Sequence, residues 1–290
     1  MRSLYSAIRN GICGFLALLL TESGWLRRSK RRALSGCVIT AIYFHEPNRR
    51  LFRRCIKWLI NHGYTFISGS DLCEILRDGK PFPKGAVWLS FDDAGRELLD
   101  AVLPLIREYR IPITLFVPTG IVAGDGRFPW RHGQDSSAQR RLAASVPPSA
   151  RNGSRDSMTV AEVKQVAIYR EVTMGSHTIT HPFMARCTDG ELRREISESK
   201  GALESWTGVA VDCFSYPYGN FDGRERQHLI DFGYQLAATT ENAFVTPEVD
   251  RYRVPRFSVA NNISFPEAVC NMVGVWRHFA DVLKKPLERL

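Results

Sequence analysis

Two histidines in this sequence have a type and a spacing that suggest metal chemistry. His177 and His181 lie four residues apart in the stretch GSHTITHP. On a helix this spacing would put both imidazoles on one face, where they could bind one metal ion. The β-branched residues between them favour extended structure, and the flanking Gly175 and Pro182 favour a turn. The stretch therefore predicts a strand that ends in a loop, and a metal site would need a third ligand from elsewhere.

Two adjacent carboxylates can supply that third ligand. Asp92 and Asp93 directly follow the apolar run AVWLSF, which reads as a buried strand. Adjacent residues of a strand point to opposite sides, so one carboxylate can bind a metal while the other faces a water molecule. One Asp and two His make a three-ligand open site, the arrangement of a catalytic divalent metal. Alone, an Asp pair is usually a helix-capping turn and a His pair is often incidental, so the hypothesis depends on their joint placement.

The elements around these residues explain how they could meet. Apolar strand-like runs alternate with helical periodicity about seven times along the chain, which predicts an α/β fold with a parallel sheet closed into a barrel. In such barrels the chemistry lies at the carboxyl ends of the strands. His45, Asp92 with Asp93, His177 with His181, and Tyr218 all follow predicted strands, so one shared site is expected.

The charge is unevenly distributed. The net charge is +9, and residues 1 to 54 hold eleven basic and two acidic residues, so the whole excess lies there. A nucleic-acid surface would be spread over the fold, and no nucleic-acid partner is expected. The stretch RRSKRR (27 to 32) follows the apolar run ICGFLALLL (12 to 20), which is too short to span a bilayer.

An apolar patch next to a basic patch is the two-signal pattern of peripheral membrane binding. Residues 2 to 32 therefore predict contact with an anionic membrane surface. A first helix that packs into the core and a signal sequence are the two alternatives. The seven cysteines are scattered without a C-x-x-C motif, which favours reduced thiols and a cytoplasmic location at the inner face of the membrane, with export as the alternative.

Three motifs together resemble a known family. SFDD (90 to 93), GSHTITHP (175 to 182) and FSYPYG (214 to 219) are similar, in order and spacing, to the first three motifs of the polysaccharide deacetylases. These are the enzymes of carbohydrate esterase family 4, with the NodB-homology domain. The resemblance extends from about residue 43 to about residue 259. It implies a distorted (β/α)7 barrel, a divalent metal, and hydrolysis of an N-acyl group from an amino sugar.

The resemblance also implies roles for individual residues. Asp93, His177 and His181 would be the metal ligands, with Zn²⁺ as the expected ion. Asp92 would be the general base, and the backbone N–H of Tyr218 would help to hold the oxyanion. The family has Gly after its Asp pair, where this chain has Ala94, and a methyl group is expected to be tolerated there.

Two departures from the family pattern concern the groups around the catalytic Asp. The third motif usually begins with an Arg that orients this Asp, and here Ser215 replaces it. Arg256, in the stretch VPRF, is the candidate to supply the missing guanidinium, with a surface salt bridge as its alternative. The family's acid histidine is only weakly echoed by His278, so His45 is the preferred candidate for the general acid.

We therefore expect two parts in the chain. Residues 1–34 would form a basic and apolar N-terminal arm, and residues 35–290 the catalytic domain, with an insertion loop at about 124–158. The expected activity is metal-dependent removal of an N-acyl group, N-acetyl by preference, from a polysaccharide or lipid-linked glycan. An O-acetyl carbohydrate esterase, a deformylase of a lipid-linked amino sugar and an inactive carbohydrate-binding barrel are the alternatives.

Overall fold

The computed structural model describes residues 11, 14–20, 24–130, 155–261 and 263–276. Within this part of the chain, parallel strands alternate with helices. The strands are β1 (Thr40–Phe44), β2 (Thr65–Ile67), β3 (Ala86–Phe91), β4 (Ile113–Val117), β5 (Val172–Ser176), β6 (Cys213–Ser215), β7 (Leu236–Ala238) and β8 (Phe257–Ser258). The helices are α1 (Gly24–Leu34), α2 (Arg49–Asn61), α3 (Gly69–Asp78), α4 (Glu97–Ala101), α5 (Leu103–Tyr109), α6 (Thr119–Ala123), α7 (Val160–Ala167), α8 (Asp189–Thr207), α9 (Glu225–Asp231) and α10 (Phe265–Met272). None of these helices is both long enough and apolar enough to cross a bilayer.

The strands form one curled parallel sheet in the order β7-β6-β5-β4-β3-β1-β8, with β2 paired to the first half of β3. The sheet closes through the segment before β8. Val254 pairs in parallel with Ala238, while β8 itself pairs with β1 at Ile42 and Tyr43. The segment from 254 to 258 thus contacts both edges of the sheet, and the expected distorted (β/α)7 barrel is confirmed.

Alternation along β3 decides which side chains enter the barrel. Val87, Leu89 and Phe91 face outward into the core between sheet and helices. Trp88 faces the interior, where its indole N–H donates to Thr114 Oγ1 (2.8 Å). With a period of two residues, the next inward positions are those of Ser90 and Asp92. The polar end of the barrel interior therefore follows from the register of this strand.

Helix α8 supports the strand that leads to the histidines. It begins with a capping box between Thr188 and Glu191 and ends at Gly208, which adopts the left-handed conformation. Its buried residues are Leu192, Glu195, Ile196, Ser199 and Leu203. The Ser199 hydroxyl contacts the Ser176 hydroxyl at 2.7 Å, which fixes the helix to the end of β5.

The described part of the N-terminal arm packs against α10. Residues 14 to 20 are helical, and Ala17, Leu20 and Ala33 are buried in the outer core. The thiol of Cys270 donates to the carbonyl of Ala17, and the Ser29 hydroxyl donates to the carbonyl of Val273. One face of the arm is therefore core, as the core-packing alternative expects, while its other face is exposed.

The predicted insertion loop is only partly within the described residues, because positions 131 to 154 lie outside them. Its two ends are joined by hydrogen bonds. The N–H of Phe128 donates to the Asp156 carboxylate (2.8 Å), and the N–H of Asp156 donates to the carbonyl of Gly126 (2.9 Å). This junction holds the start of the loop, which includes Trp130, beside the barrel rim.

Candidate active site

The strand ends bring the predicted site residues together at one end of the barrel. Asp92 and Asp93 follow β3, His177 follows β5, and Arg256 directly precedes β8. All four side chains are buried. The carboxyl ends of neighbouring parallel strands lie at the same edge, which is why Asp92, Asp93 and His177 meet. Arg256 lies at the start of β8 instead, and its long side chain extends to Asp92.

Asp93, His177 and His181 form a compact group of metal-ligand atoms. The Oδ1 atom of Asp93 lies 3.5 Å from His177 Nε2 and 3.4 Å from His181 Nε2. Ligand bonds of about 2.0–2.1 Å in a tetrahedral site would place the ligand atoms about 3.3–3.4 Å apart. Asp93 Oδ1 is also buried without a hydrogen bond. The three residues therefore fit a divalent metal, and a buried oxygen without a donor is what such an ion would satisfy.

Both imidazoles have Nε2 beside Asp93 Oδ1. His177 Nδ1 lies 2.7 Å from the carbonyl oxygen of Ser215, so Nδ1 carries a proton, and in the neutral ring the lone pair is on Nε2. Burial, and then the charge of His177, lowers the pKa of His181 to about 3, so its ring is neutral. Neutral imidazole is the form that binds a metal.

The loop between the histidines is anchored by a buried carboxylate on α8. Glu195 Oε2 accepts from the backbone N–H groups of Ile179 (2.7 Å) and Thr180 (2.9 Å), and Oε1 accepts from the Thr180 hydroxyl (2.7 Å). Thr178 and His181 have positive φ values of 68° and 57°, which are uncommon for these residue types. The three hydrogen bonds hold this strained turn, and with it the direction of both imidazoles.

Gly175, within β5, has a packing role rather than the turn role that the sequence suggested. A Cβ there would lie 2.5 Å from the ring of Phe116. Only glycine allows the interior ring of β4 to pass this close to β5. Ala94, where the family has Gly, has a φ of 52° and is fully buried. The methyl group is accommodated there in a left-handed conformation, which costs about 1–2 kcal/mol for a residue with a Cβ.

Asp92 is paired with Arg256 inside the barrel. Arg256 Nη1 donates to Asp92 Oδ1 (2.8 Å), and Nη2 donates to Oδ2 (2.9 Å). The guanidinium group is fully buried, and it lies 4.5 Å from the Tyr43 ring centroid and 5.4 Å from that of Phe116. A two-pronged contact of this kind fixes the plane of the carboxylate as well as its position.

All five N–H donors of Arg256 are used. The remaining three bonds go to the carbonyl of Thr239 (3.0 Å), the Ser90 hydroxyl (2.9 Å) and the Ser215 hydroxyl (2.9 Å). Full satisfaction of the donors offsets the cost of burying this charge. Ser215 occupies the position where the family pattern has Arg, and its small side chain leaves room for the guanidinium that arrives from β8.

The pKa of Asp92 reflects this environment. Burial alone would raise it, but the charges of Arg256 and His177 and the hydrogen bonds from Arg256 outweigh burial and lower it to about 2. Asp92 is therefore ionised at neutral pH and can accept a proton.

An aromatic wall, defined as Trp130, Phe183 and Tyr218, stands beside the metal-ligand group. The ring centroids of Trp130 and Tyr218 lie 4.2 and 4.5 Å from that of His181, and Phe183 stacks on Tyr218 at 4.3 Å. Tyr218 is 40% exposed and has a positive φ of 59° in the turn Pro217–Gly219. The wall gives the rim an apolar, partly exposed surface next to the polar centre.

His45 and His278 are the two candidates for the general acid. His45 follows β1 and is exposed, and its charge is one of the influences that lower the pKa values of Asp92 and Asp93. It therefore lies within electrostatic reach of both carboxylates, and its role as the acid stays a prediction. His278 lies outside the described residues.

Several residues of this site were missed by sequence reasoning, among them Trp130, Glu195 and Ser90. Trp130 fell in a predicted loop, where an aromatic residue among Gly, Arg and Pro was the available signal. Glu195 is the one charged residue among the buried residues of α8, which is also a signal that the sequence offers. Ser90 gave no signal, because its role depends on Arg256 lying across the barrel.

Comparison with known proteins agrees with this geometry. The family model for polysaccharide deacetylase matches residues 79–237. A poly-beta-1,6-N-acetyl-D-glucosamine N-deacetylase of Staphylococcus epidermidis is 25% identical over 214 residues, covering 73% of this chain and 67% of that protein. The enzyme of the same name from Staphylococcus aureus is 23% identical over 240 residues, covering 76% of this chain and 73% of that protein.

Solved structures show the same fold. The Streptococcus pyogenes deacetylase PplD in complex with acetate superposes with a TM-score of 0.65 at 19% identity, over 81% of this chain and 98% of that one. IcaB from Ammonifex degensii gives a TM-score of 0.65 at 18% identity, over 82% and 98% of the two chains. The family match spans more than half of the chain and contains the Asp pair, both histidines and the FSYPYG turn. This chain belongs to the polysaccharide deacetylase family.

Proposed function

We propose that this protein is a metal-dependent carbohydrate N-deacetylase that removes N-acetyl groups from an amino-sugar polysaccharide of the poly-N-acetylglucosamine type. The observation that carries the proposal is the pairing of an ionised, Arg256-held Asp92 with the adjacent Asp93, His177 and His181 group. The names of the two staphylococcal relatives support the substrate class.

Asp93, His177 and His181 would hold the cation, and we propose Zn²⁺, because two imidazoles and one carboxylate are ligands that zinc favours. Such an ion supplies Lewis-acid polarisation of an acyl oxygen and lowers the pKa of water. The rest of the chemistry belongs to the chain's own side chains.

Asp92 accepts the proton of the attacking water, and Arg256 keeps the carboxylate ionised and oriented while it does so. We propose that the backbone N–H of Tyr218, at the rim, donates to the oxyanion. His45 returns a proton to the leaving amine. This last proton is required because an amine is a poor leaving group until it is protonated.

The aromatic wall supports a sugar substrate. The apolar C–H face of a pyranose ring can pack on Trp130 and Tyr218, with the acyl group directed at His181 and its neighbours. A lipid-linked glycan with the same sugar is the alternative substrate.

The test is to incubate the zinc-loaded protein with poly-β-1,6-N-acetylglucosamine oligosaccharides and to measure free amine by mass spectrometry. Asp92→Asn is the matched control, because it keeps the shape of the site and removes the base. Matched O-acetylated and N-formylated sugars separate the esterase and deformylase alternatives. No turnover of any acyl sugar by the metal-loaded protein would favour the inactive carbohydrate-binding barrel instead.

The N-terminal arm adds a membrane surface to this proposal. Phe15, Leu18 and Leu19 are 63%, 50% and 55% exposed on the helical segment that precedes the basic helix α1. Exposed apolar side chains next to arginines suit the surface of an anionic membrane. A cytoplasmic location, with export as the alternative, stays a prediction.

Because Ala17, Leu20 and Ala33 are buried, point substitutions test this idea better than truncation. Phe15→Ser with Leu19→Ser should release the protein from anionic vesicles in a sedimentation assay at low salt. Ile168→Ser is the control, since Ile168 is 81% exposed and lies outside the arm. Unchanged sedimentation of the double variant would remove the membrane part of the proposal and leave the enzymatic part intact.

A further inference from the structure

A cavity of about 730 Å³ lies on the outer side of the barrel, and none of the candidate active-site residues lines it. Its walls come from α1, the segment 242 to 246, β8 and the residues that follow α10. The side chains that matter here are Trp25, Arg28, Arg32, Phe244, Phe257 and Val275. A cavity of this size is within the range of small-molecule sites, about 300–1,000 Å³.

The floor of the cavity is apolar because of strand alternation. Arg256 points into the barrel, so its neighbour Phe257 points outward. Phe244 packs edge-to-face on Phe257, with ring centroids 5.0 Å apart. Gly274 has a φ of 70°, and a Cβ there would lie 2.7 Å from the Phe257 ring. Glycine thus lets the chain after α10 approach Phe257 closely and complete the wall.

Two arginines stand on the α1 side of the cavity. Arg28 and Arg32 are one helical turn apart, so they share a face of α1, and both are exposed. The Arg32 guanidinium lies 5.4 Å from the Phe244 ring centroid, which holds it over the apolar floor. Within the described part of the chain, neither arginine forms an ion pair with a carboxylate. Arg27 and Arg31 belong to the same helix but do not line the cavity.

An apolar cavity beside two guanidinium groups that have no carboxylate partner among the described residues fits a molecule that joins an anion to an apolar chain. Guanidinium groups bind phosphate through paired hydrogen bonds, and Arg is preferred over Lys for this geometry. We propose that this cavity binds one anionic phospholipid, with the phosphate between Arg28 and Arg32 and the first part of an acyl chain against Phe244 and Phe257. The inference rests on the membrane-surface part of the proposed function and gives that surface a defined lipid site.

The experiment is calorimetric titration of the full-length protein with dihexanoyl phosphatidylglycerol below its critical micelle concentration. We expect saturable binding of one lipid per chain. Arg28→Ala with Arg32→Ala should weaken this binding by about tenfold or more, because two charge-assisted hydrogen bonds are removed. Arg27→Ala with Arg31→Ala removes the same charge from the same helix and should change the affinity by less than about twofold.

Further arms test the chain and the headgroup separately. Ala243→Trp places a large ring in the cavity and should abolish binding of the short-chain lipid. Dihexanoyl phosphatidylcholine, which has no net charge, and inorganic phosphate, which has no chain, should both bind at least about tenfold more weakly.

Equal losses in the two arginine pairs would overturn the proposal in favour of diffuse electrostatic attraction. Equal binding of inorganic phosphate would overturn it in favour of a simple anion site. Absence of any lipid binding by the parent protein would also overturn it. Thermal melting of each variant confirms folding, and deacetylation of a soluble oligosaccharide should be unchanged in all of them, which separates this proposal from the enzymatic one.

Discussion

The hydroxyl of Ser215 accepts a 2.9 Å hydrogen bond from Nη2 of Arg256, and the two residues together surround the Asp92 carboxylate. Ser215 ends β6, and Arg256 lies 41 positions later, directly before β8. The family pattern instead has an Arg at the position of Ser215. In this chain the guanidinium comes from the residue directly before β8, and Ser215 accepts a hydrogen bond from it. A guanidinium group therefore contacts Asp92 in this chain although the third motif lacks its Arg.

This exchange predicts a rescue. Arg256→Ala should lower kcat by about 10²-fold or more, because Asp92 loses both its orientation and its charged partner. Ser215→Arg added to Arg256→Ala should recover at least about tenfold of that loss, since it restores a guanidinium near the carboxylate. Steady-state kinetics on a soluble N-acetyl oligosaccharide decide it, with bound metal measured as a folding control. A double variant no better than Arg256→Ala would contradict the exchange.

Substitutions of Asp92 and Asp93 should have different effects on metal binding. Asp93→Ala should lose metal and activity together, because a catalytic metal ion needs three protein ligands to stay bound. Asp92→Asn should keep the metal and lose turnover by about 10²-fold or more. Metal analysis of both purified variants by mass spectrometry gives the answer. An Asp92→Asn protein that is metal-free, or fully active, would break the division of roles.

Glu195 should act on metal affinity without touching the metal. Glu195→Gln replaces one carboxylate oxygen by an NH2 group, which donates hydrogen bonds and does not accept them. The side chain therefore cannot accept from the two loop N–H groups and the Thr180 hydroxyl together. We expect a cost of about 1–3 kcal/mol in stability and a weaker metal site, because the turn between the histidines loosens. Glu198→Gln, an exposed position on the same helix, is the control. Competition with a chelator measures the affinity; equal affinities in the two variants would leave Glu195 with a purely structural role.

Metal affinity should fall as the pH falls. Burial alone would lower the pKa of His177, but the neighbouring Asp93 and Asp92 outweigh burial and raise it above its ordinary value. Only the neutral ring binds metal, so below this raised pKa each pH unit should cost about tenfold in apparent affinity. His181, with a pKa of about 3, contributes no such proton. Titration with zinc in buffers of different ionisation enthalpy should show proton release that persists above about pH 6.5. A pH-independent affinity between about pH 6 and 8 would refute this.

His45 should matter more for an amide than for an ester. If His45 protonates the leaving amine, His45→Ala should bind metal normally and lose amide hydrolysis far more than hydrolysis of an activated O-acetyl substrate, whose alkoxide leaves more easily. His278→Ala should lose little. Side-by-side rates on matched substrates distinguish the cases. Equal losses of rate on both substrates would make His45 a positioning residue. A large loss of activity in His278→Ala, with near-normal activity in His45→Ala, would reverse the assignment.

In the N-terminal arm, packing buries one face of an apolar segment and leaves the other face exposed. The apolar run and the basic stretch indicated either a membrane-surface segment or a core helix. The structure gives its two faces different environments, with Ala17 and Leu20 in the core and Phe15 and Leu19 exposed. Sequence alone could not assign the faces, because the partner of the buried face is α10, about 250 residues later.

The alternation of strands and helices, and the motifs at strand ends, determined the barrel and the Asp93, His177 and His181 group from the sequence alone. These follow from local periodicity and from the rule that the carboxyl ends of parallel strands lie at the same edge of the sheet. Neither depends on the details of side-chain packing. Only the tertiary structure decided that Arg256 holds Asp92, that Glu195 anchors the histidine loop and that Trp130 lines the site. The Arg256 contact depends on how the sheet closes through Val254 and β8. The other two depend on how a loop and a helix pack against strands that are distant in sequence. The spacing of residues along the chain does not predict such long-range contacts.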